Sequence, residues 1–366
     1  LDGVTGVQTC ALPISIAGVM LLVLGCTGTS KQGAPDRKAA NTHDERYFRF
    51  MCYNVENLFD IYDDSLKNDD EFLPDKAKYW NYNRYQTKLN QIYQVMVAIG
   101  EWELPDAVGF CEIENRFVLD QLLEKTPLYK ADYKIIHYES PDPRGIDVAF
   151  MYRKSKFTPL INYPIKITFP ESNSGSTRDI LYIKGVTRSN DTIHFFINHW
   201  PSRWGGQMET EEKRMYCAKQ VRNITDSIMK SSPGSNIVIA GDLNDHPTDK
   251  SLIESLRAEN QYTEISDKKL YNLSYYLQET LHKGSHKHEG HWGVLDQIVV
   301  SGALLDKSSG LYTSVEDAHI FEGDFLLEND MKNTGEKPYR TYAGYKYIGG
   351  YSDHLPVYID IFRAQK

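Results

Sequence analysis

The tripeptide Ser352-Asp353-His354 places a carboxylate beside an imidazole, directly before the apolar run LPVYIDI. A histidine that transfers protons needs a carboxylate to fix its tautomer and raise its basicity. Either Asp353 or Asp296, which lies in the apolar run LDQIVVS, could serve His354 in this way. The pattern predicts a catalytic histidine held at the edge of a strand.

Two clusters of oxygen donors end the first two apolar runs of the chain. NVEN begins at Asn54 after YFRFMCY, and EIEN begins at Glu112 after DAVGFC. Mg²⁺ and Mn²⁺ take such oxygen ligands, commonly one or two carboxylates together with water. Either cluster alone would be interpreted as a solvent-facing strand end, but the two together predict a metal site.

A glycine, acid and amide turn, GDLND, begins at Gly241 and directly follows the apolar run NIVIA. Glycine lets the backbone turn sharply at a strand end. Asp242 and Asn244 are two residues apart, so they point the same way on an extended segment. They could share one metal ion or phosphate; the alternative is an Asx-rich turn without a ligand.

A histidine leaves the very apolar run TIHFFI in the segment NHWPSR, which begins at Asn198. His199 is placed to act as a general acid or as a hydrogen-bond donor to a phosphate. The alternative is an imidazole at the edge of the core, bonded to a backbone carbonyl. Arg203 favours phosphate chemistry, because a planar guanidinium matches the geometry of phosphate oxygens.

Alternating strands and helices would position these clusters. The helix predicted over residues 84–99 carries apolar side chains at helical spacing, namely Leu89, Ile92, Tyr93, Met96 and Val97. A second helix is predicted over residues 209–229, and further strands in the runs DYKIIHY, DVAFMYR, DILYIKGV, TIHFFIN, NIVIAG, LDQIVVS and PVYIDI. Short apolar strands interrupted by helices predict an α/β (α+β) fold, with two packed sheets and flanking helices in one domain over residues 46–366.

The composition restricts the class of protein only loosely. The chain has 366 residues, of which 41% are hydrophobic and 25% charged, as in an ordinary folded protein. The formal net charge of −9 argues against nucleic-acid binding over the whole surface, since phosphate binding needs a local excess of Lys and Arg. It leaves open an enzyme that meets phosphates in one basic, metal-loaded cleft.

Residues 1–45 are predicted to lie outside the folded domain. Residues 1–15 include VTGVQTCALPI, which resembles a translated sequencing-adapter oligonucleotide, so we interpret them as an artefact. Residues 16–26 are typical of a truncated lipoprotein signal peptide, because VLGC resembles a bacterial lipobox in which Cys26 is acylated. Plain secretion is the alternative. Residues 27–45 would be a flexible tether, which predicts an extracytoplasmic lipoprotein anchored to a membrane in the periplasm, outer membrane or cell surface.

A histidine-rich segment precedes Trp292 and contains His282, His286, His288 and His291. A second metal site is one interpretation of this composition. A solvated loop is the favoured interpretation, and a contact with substrate also stays open.

The clusters, in this order, resemble the endonuclease/exonuclease/phosphatase superfamily, which has the deoxyribonuclease-I-like fold. The matching motifs are NVEN, CEIEN, RGIDVA, NHWPSR, GDLND, LDQI and SDHLP, and they extend from Asn54 to His354. The resemblance implies a four-layer sandwich of two packed mixed β-sheets flanked by helices. The active site would lie where loops from both sheets meet.

The resemblance also implies a metal site and the position of the attacking water. Glu112 would be the principal Mg²⁺ ligand, helped by Asn54 and Asp353, with Mn²⁺ or Ca²⁺ as alternative ions. Asp242 and Asn244 would position the water and the phosphate.

The same resemblance implies two paired imidazoles. Because neighbouring residues on a strand point to opposite sides, His354 would pair with Asp296 and not with the adjacent carboxylate. His199 would be the second imidazole, with Asp147 of RGIDVA as its carboxylate partner. Arg144 is a weaker candidate for binding phosphate.

Departures from subfamily patterns narrow the substrate. Inositol-phosphate phosphatases of this fold usually carry Cys-Asp-Arg where this chain has Leu295-Asp296-Gln297, and abasic-site endonucleases usually have Asn in place of His199. Sphingomyelinases keep the histidine but often add an exposed aromatic hairpin, for which YKYIGGY is a candidate. The resemblance therefore favours a monomeric nuclease that cleaves DNA or RNA by water attack on phosphorus. The alternatives are a phospholipase C-like sphingomyelinase, a sugar or inositol phosphate phosphatase, and a non-catalytic binding lipoprotein.

Overall fold

A computed structural model describes residues 46–170, 175–308 and 310–364. The predictions for residues 1–15, 16–26 and 27–45, including acylation of Cys26, lie outside the described residues. Within the described ranges, no helix is both long enough and apolar enough to span a bilayer.

The described part of the chain contains four α-helices and twenty β-strands, numbered in chain order. The helices are α1 (Tyr82–Gly100), α2 (Arg116–Lys125), α3 (Gln207–Ser231) and α4 (Leu273–Glu279). The strands are β1 (Phe48–Leu58), β2 (Ala107–Ile113), β3 (Tyr133–His137), β4 (Asp147–Arg153), β5 (Phe157–Ile165), β6 (Ile180–Thr187), β7 (Thr192–His199), β8 (Asn236–Asp242), β9 (Ala258–Glu259), β10 (Leu270–Asn272), β11 (His286–His288), β12 (His291–Gly293), β13 (Asp296–Ser301), β14 (Leu311–Tyr312), β15 (Ala318–Ile320), β16 (Leu327–Asn329), β17 (Glu336–Pro338), β18 (Tyr342–Ala343), β19 (Lys346–Tyr347) and β20 (Val357–Arg363).

Two seven-stranded mixed sheets form the centre of the fold. The first has the order β14-β20-β1-β2-β4-β3, with β15 also paired to β20. The second has the order β5-β6-β7-β8-β13-β10-β9. In the first sheet β1 and β2 are parallel, and in the second β7 and β8 are parallel, while the strands that flank these pairs run antiparallel to them.

The sheets pack face to face, and a cluster of phenylalanine rings lies between them. The ring of Phe195 in β7 lies 4.9 Å from that of Phe50 in β1 and 5.3 Å from that of Phe150 in β4, between ring centroids. Phe196 faces the other side of β7 and packs with Val221 of α3, because successive side chains alternate along a strand. Since α1 and α2 contribute to the core of the first sheet, the predicted α/β sandwich with flanking helices is confirmed.

Helix α1 covers the first sheet with one apolar stripe. The side-chain oxygen of Asn81 accepts hydrogen bonds from the N–H groups of Asn83 and Arg84, which begins the helix. The inward residues are Tyr85, Lys88, Leu89, Ile92, Val95, Met96, Ile99 and Gly100. Val97, predicted to share this face, is instead 39% exposed, because each residue advances about 100° around a helix.

The polar ends of the central strands meet at one edge of the sandwich. Because β1 and β2 are parallel, Asn54 and Glu112 lie at the same end of the first sheet. Because β7 and β8 are parallel, His199 pairs directly with Asp242 at the end of the second sheet. Asp296 opens the antiparallel β13 and also pairs with Asp242. The topology therefore collects residues that are far apart in sequence.

Candidate active site

An imidazole from the loop before β20 and a carboxylate from β13 form the first part of the site. Nδ1 of His354 lies 2.7 Å from Oδ2 of Asp296, so the pairing predicted for these two residues is present. The loop that carries His354 is fixed by Ser352, whose hydroxyl donates to the carbonyl of Asn54 at 2.7 Å. Burial lowers the pKa of His354, but the carboxylates of Asp296 and Asp242 outweigh it and raise this pKa well above its usual value. The surrounding carboxylates therefore favour the imidazolium form of this ring.

Asp242 is the point on which the polar groups converge. Its Oδ2 lies 3.1 Å from Nδ2 of Asn54, 3.5 Å from Nε2 of His199 and 3.8 Å from Nε2 of His354. Its Oδ1 accepts a hydrogen bond from the N–H of Asn244 at 3.0 Å. Burial raises the pKa of Asp242 to about 7, although the positive charge of His354 lowers it in part. The carboxyl group can thus exchange a proton near neutral pH.

Glu112 lies beside this group at the end of β2. Its Oε2 accepts the N–H of Asn57 at 2.8 Å, while Oε1 lies 3.4 Å from Nδ2 of Asn54 and 3.9 Å from Nε2 of His199. One carboxylate oxygen is therefore oriented by the backbone, and the other faces the cluster around Asp242.

The backbone at the site is strained in a way that the strand pattern did not predict. Glu56, Asn57, Glu112 and Asn244 all have positive φ angles, of 51°, 56°, 65° and 53°. Non-glycine residues adopt this region at a cost, and such residues concentrate at functional sites. Gly241 at φ 138° is required for another reason, because a Cβ there would lie 1.9 Å from the carbonyl oxygen of Asn198. The strand ends are thus bent to aim side chains inward.

His199 is buried beside Asp242, but its predicted partner is wrong. Asp147 instead contacts Nε2 of His137 at 3.1 Å and the N–H of Ser140 at 2.9 Å. The physical reason is that β4, which starts at Asp147, pairs directly with β3, which carries His137, whereas His199 belongs to the other sheet.

The environment of His199 keeps its imidazole neutral. Burial, followed by the charges of Arg178 and Arg144, lowers the pKa of His199 well below its usual value. Among the described residues, no side chain or backbone group hydrogen-bonds to its buried Nδ1. A neutral ring that carries one N–H can donate a hydrogen bond to a phosphate oxygen.

Arg203 is bonded to the turn that carries Asn244, and its substrate-binding role stays a prediction. Its Nε donates to the carbonyl of Asn244 at 2.7 Å, and its Nη2 donates to Oδ1 of Asp245 at 3.1 Å and to Asp249. The guanidinium therefore holds the turn that carries Asn244, because its Nε and Nη2 are bonded to residues of that turn and of the segment after it. The amide of Asn244 itself donates to the carbonyl of Trp200 at 3.0 Å, and the residue lines the cavity of the site.

A second arginine, Arg178, was not predicted. It donates from Nη1 to Oδ2 of Asp142 at 2.8 Å, from Nε to the carbonyl of His199 at 3.2 Å and from Nη2 to the carbonyl of Trp200 at 2.7 Å. The side chain of Arg144, by contrast, is 47% exposed, with Nε 3.5 Å from Oδ1 of Asp142. Arg178 thus fixes the turn after His199, and the phosphate-binding role of Arg144 stays a prediction.

Two of the predicted metal ligands are engaged by protein groups. Oδ1 of Asn54 accepts the N–H of Glu56 at 3.1 Å, so the amide would have to turn to present its oxygen to a cation. Oδ2 of Asp353 accepts a hydrogen bond from Nη2 of Arg340 at 2.8 Å. The chemistry of the donors nevertheless fits Mg²⁺, since Glu112 offers one carboxylate oxygen and this ion takes its remaining ligands from water.

A buried charge network behind Asp353 was also missed. Nζ of Lys88 donates to Oγ1 of Thr341 at 2.6 Å and to the carbonyl of Tyr351 at 2.5 Å. Glu56 accepts the N–H of Thr341 at 2.6 Å, and burial together with the charge of Asp353 raises its pKa to about 7. The signal in the sequence was a lysine at helical spacing within an apolar stripe, because a buried charge requires a partner.

A cavity of about 620 Å³ opens beside His354. It is lined by aromatic and imidazole side chains, namely Trp204, Trp292, His246, His286, His288, His291 and His354. Trp204 is 90% exposed and also lines a neighbouring groove of about 540 Å³. That groove contains Arg144, Arg178 and Lys213. The site therefore borders an aromatic cavity, and Trp204 joins that cavity to a groove that contains three basic side chains.

Comparison with known proteins gives a family and a fold. Residues 50–363 match the Endonuclease/Exonuclease/phosphatase family. No curated protein matches the chain. The catalytic domain of human Nocturnin with bound sulfate is similar at 15% sequence identity and a TM-score of 0.52, over 87% of this chain and 95% of that chain.

Two further solved structures share the fold. TDP2 from D. rerio, complexed with a single-strand DNA product, is similar at 16% identity and a TM-score of 0.50, over 86% of this chain and 98% of that chain. An endonuclease/exonuclease/phosphatase family protein from Bacteroides thetaiotaomicron is similar at 14% identity and a TM-score of 0.51, over 86% of this chain and 97% of that chain. At these identities the likeness establishes the arrangement of the sheets.

Proposed function

The chain belongs to the endonuclease/exonuclease/phosphatase family, and from this premise we propose that it is a metal-dependent phosphodiester hydrolase that acts on DNA or RNA. The observation that carries the proposal is the convergence of His199 and His354 on Asp242, beside Glu112. A phosphodiester is anionic and resists attack, so its hydrolysis needs groups that accept a proton and donors that absorb developing charge. The site supplies both kinds of group.

Asp242 is the base in the proposed reaction. A water molecule forms a bond to phosphorus while the bond to the leaving ester oxygen breaks, and Asp242 takes a proton from the water. Its pKa of about 7 suits a base at neutral pH. The leaving oxygen takes a proton from solvent.

The two imidazoles hold the phosphoryl group. Nε2 of His354 lies 3.8 Å from Oδ2 of Asp242, so both groups act from the same side of phosphorus. An in-line displacement puts the leaving oxygen on the opposite side. The imidazolium of His354 and the neutral N–H of His199 therefore donate to the non-bridging oxygens and stabilise the charge that develops there.

A cation would complete this arrangement at Glu112. A divalent ion bound there would neutralise charge on the phosphate and on the leaving oxygen. Glu112 is oriented for that role by the N–H of Asn57 at 2.8 Å. Asn54 would join it after a turn of the amide.

The surroundings of the site favour nucleic acid over a small phosphate ester. Trp204 and Trp292 line the cavity, and exposed aromatic rings stack on bases with little sequence preference. The only arginine or lysine among the described residues of this cavity is Arg203, which is committed to Asp245 and Asp249. A multiply charged sugar phosphate would need more fixed cations there, whereas a polynucleotide can place its backbone against the half-exposed Arg144 of the neighbouring groove.

The purified protein should be offered plasmid DNA, single-stranded DNA, RNA, sphingomyelin and phosphorylated inositols, with Mg²⁺ and with a chelator. We expect cleavage of nucleic acid that requires the metal and falls by about 10²–10⁴ in Asp242→Asn and His354→Asn. His282→Asn is the matched control, because His282 is exposed and lies outside the cavity. Undiminished cleavage in chelator and in both site variants, or activity on the lipid or inositols alone, would contradict the proposal.

A further inference from the structure

An imidazole from the histidine-rich hairpin lies against the catalytic histidine. His286 of β11 forms an isolated antiparallel bridge with His354, and the two ring centroids are 4.7 Å apart. One ligand atom from each of His286, His354 and Asp353 lies within 4.8 Å of the other two. The segment is therefore part of the wall of the site, and the favoured prediction of a solvated loop is wrong for His286.

These three side chains suit a different ion from the one expected at Glu112. Two imidazole nitrogens and one carboxylate oxygen are typical ligands of Zn²⁺, which is commonly four-coordinate. Mg²⁺ instead prefers oxygen donors and water. Imidazole also favours the later transition-metal ions over the hard cations. Asp353 is also among the ligands predicted for Mg²⁺, so the two imidazoles are the donors that distinguish this site from the one at Glu112.

A carboxylate already orients one imidazole of the cluster. A histidine that binds a metal through one nitrogen usually donates its other N–H to a carboxylate, which orients the ring. Nδ1 of His354 makes this contact with Asp296 at 2.7 Å. Its Nε2, the atom that faces the reaction centre, is the nitrogen that would bind the ion.

We propose that His286, His354 and Asp353 form a second metal site, which binds Zn²⁺ or a similar transition-metal ion and inhibits the enzyme. Binding displaces the proton from Nε2 of His354, because a ligated nitrogen has no lone pair left for it. The ring then no longer donates a hydrogen bond to the phosphoryl group. The inhibition rests on the proposed function, whereas the binding does not.

Arg340 and His288, which lie next to the three side chains, restrict which atoms can bind the ion. Nη2 of Arg340 occupies Oδ2 of Asp353 at 2.8 Å, so Oδ1 is the oxygen left for the ion. His288 is two residues after His286 and stacks near it, with ring centroids 6.5 Å apart. It offers a further imidazole on the same side of the hairpin. The fourth position of the ion is thus open to water or to this ring.

The test compares His286→Phe with the parent protein and with a matched control, His291→Phe. The ring of Phe keeps the packing against His354 but has no donor atom, and His291 is an exposed histidine on the facing strand of the same hairpin. Zn²⁺ affinity is measured by competition with a chromophoric chelator, and Co²⁺ serves as a spectroscopic substitute. Hydrolysis is followed at saturating Mg²⁺ while Zn²⁺ is added, relative to each variant without Zn²⁺.

We expect the parent and His291→Phe to bind one Zn²⁺ more than His286→Phe does. The Zn²⁺ concentration for half-inhibition should rise at least about tenfold in His286→Phe. Equal Zn²⁺ binding by the parent and His286→Phe, or a Co²⁺ spectrum of the parent typical of an octahedral oxygen site alone, would overturn the site. Lost binding with unchanged inhibition would overturn the inhibitory role. Absence of hydrolysis with binding intact would refute only the proposed function.

Discussion

At the scale of single residues, the two histidines of the site differ in charge, although each follows or precedes an apolar strand in the sequence. His354 is charged because Asp296 and Asp242 surround it, and burial does not outweigh them. His199 is neutral because it is buried near Arg178 and Arg144. One imidazole therefore offers charge and the other offers a neutral hydrogen bond, although both face Asp242.

Replacing His199 tests this division. We expect His199→Ala to lower kcat by about 10²–10³, because one donor to the developing oxyanion is lost. His199→Asn should lose less, since an amide can also donate. Because the pKa of His199 lies well below neutral, both variants should keep the pH profile of the parent. Steady-state kinetics from pH 5 to 9 measure this, and an acid limb that disappears in His199→Ala would show that the ring titrates in the reaction.

At the scale of strands and helices, the sequence predicts the elements whose patterns are strong. β1, β2, β4, β7, β8, β13 and β20 agree with the predicted apolar runs, because buried strands leave continuous hydrophobic segments. β5 was missed, because Pro159 and Pro164 interrupt it and its side chains are partly exposed. The prolines are tolerated there because β5 is an edge strand.

The site was predictable where the positions of the motifs decide it, and not where the lateral order of the strands within a sheet decides it. His354 and Asp296 follow from motif positions, and they are in contact. The partner of Asp147 could not be obtained this way, because it depends on which strand lies beside β4. The burial of Lys88 could have been predicted from its place in the apolar stripe. Its partners could not, because Thr341 is more than two hundred residues away in the sequence.

Lys88 links helix α1 to the loop that presents Asp353. We expect Lys88→Met to lower the free energy of unfolding by about 3 kcal/mol, because it removes a buried cation that, together with Arg340, compensates the charge of buried Glu56. Urea denaturation measures the change. The control is the double variant Lys88→Met with Glu56→Gln, which should recover part of the loss. A single variant as stable as the parent would contradict a compensating role for this lysine.

His194 in β7 should make stability depend on pH. Burial, and to a smaller extent the positive charge of Lys184, lowers the pKa of His194 from 6.5 to about 4. The unfolded chain therefore binds more protons than the folded one between these values, so stability falls as the pH drops from about 6.5 to 4. We expect His194→Gln to remove about 2–3 kcal/mol of this fall, measured by urea denaturation at pH 7 and pH 4. Identical pH dependence in parent and variant would contradict a neutral buried His194.

At the scale of the whole molecule, the two depressions beside the site have one residue in common. The aromatic cavity lies on the side of His354, and the basic groove contains Arg144 and Arg178, whose charges act on His199. Trp204 lines both. We expect a strand bound along this path to extend to both sides of the scissile phosphate, as cleavage within a chain requires.

Circular single-stranded DNA tests this path, because it has no ends. We expect the protein to cleave it at a rate similar to that of the linear strand, measured by gel electrophoresis with Mg²⁺. Trp204→Ala should raise KM about tenfold, since stacking on an aromatic ring contributes about 1–3 kcal/mol per base. Trp102→Ala is the matched control, because Trp102 is fully exposed and lines neither depression. Cleavage of the linear strand alone would show that the chain end is recognised, and equal KM values for the two variants would remove Trp204 from the path.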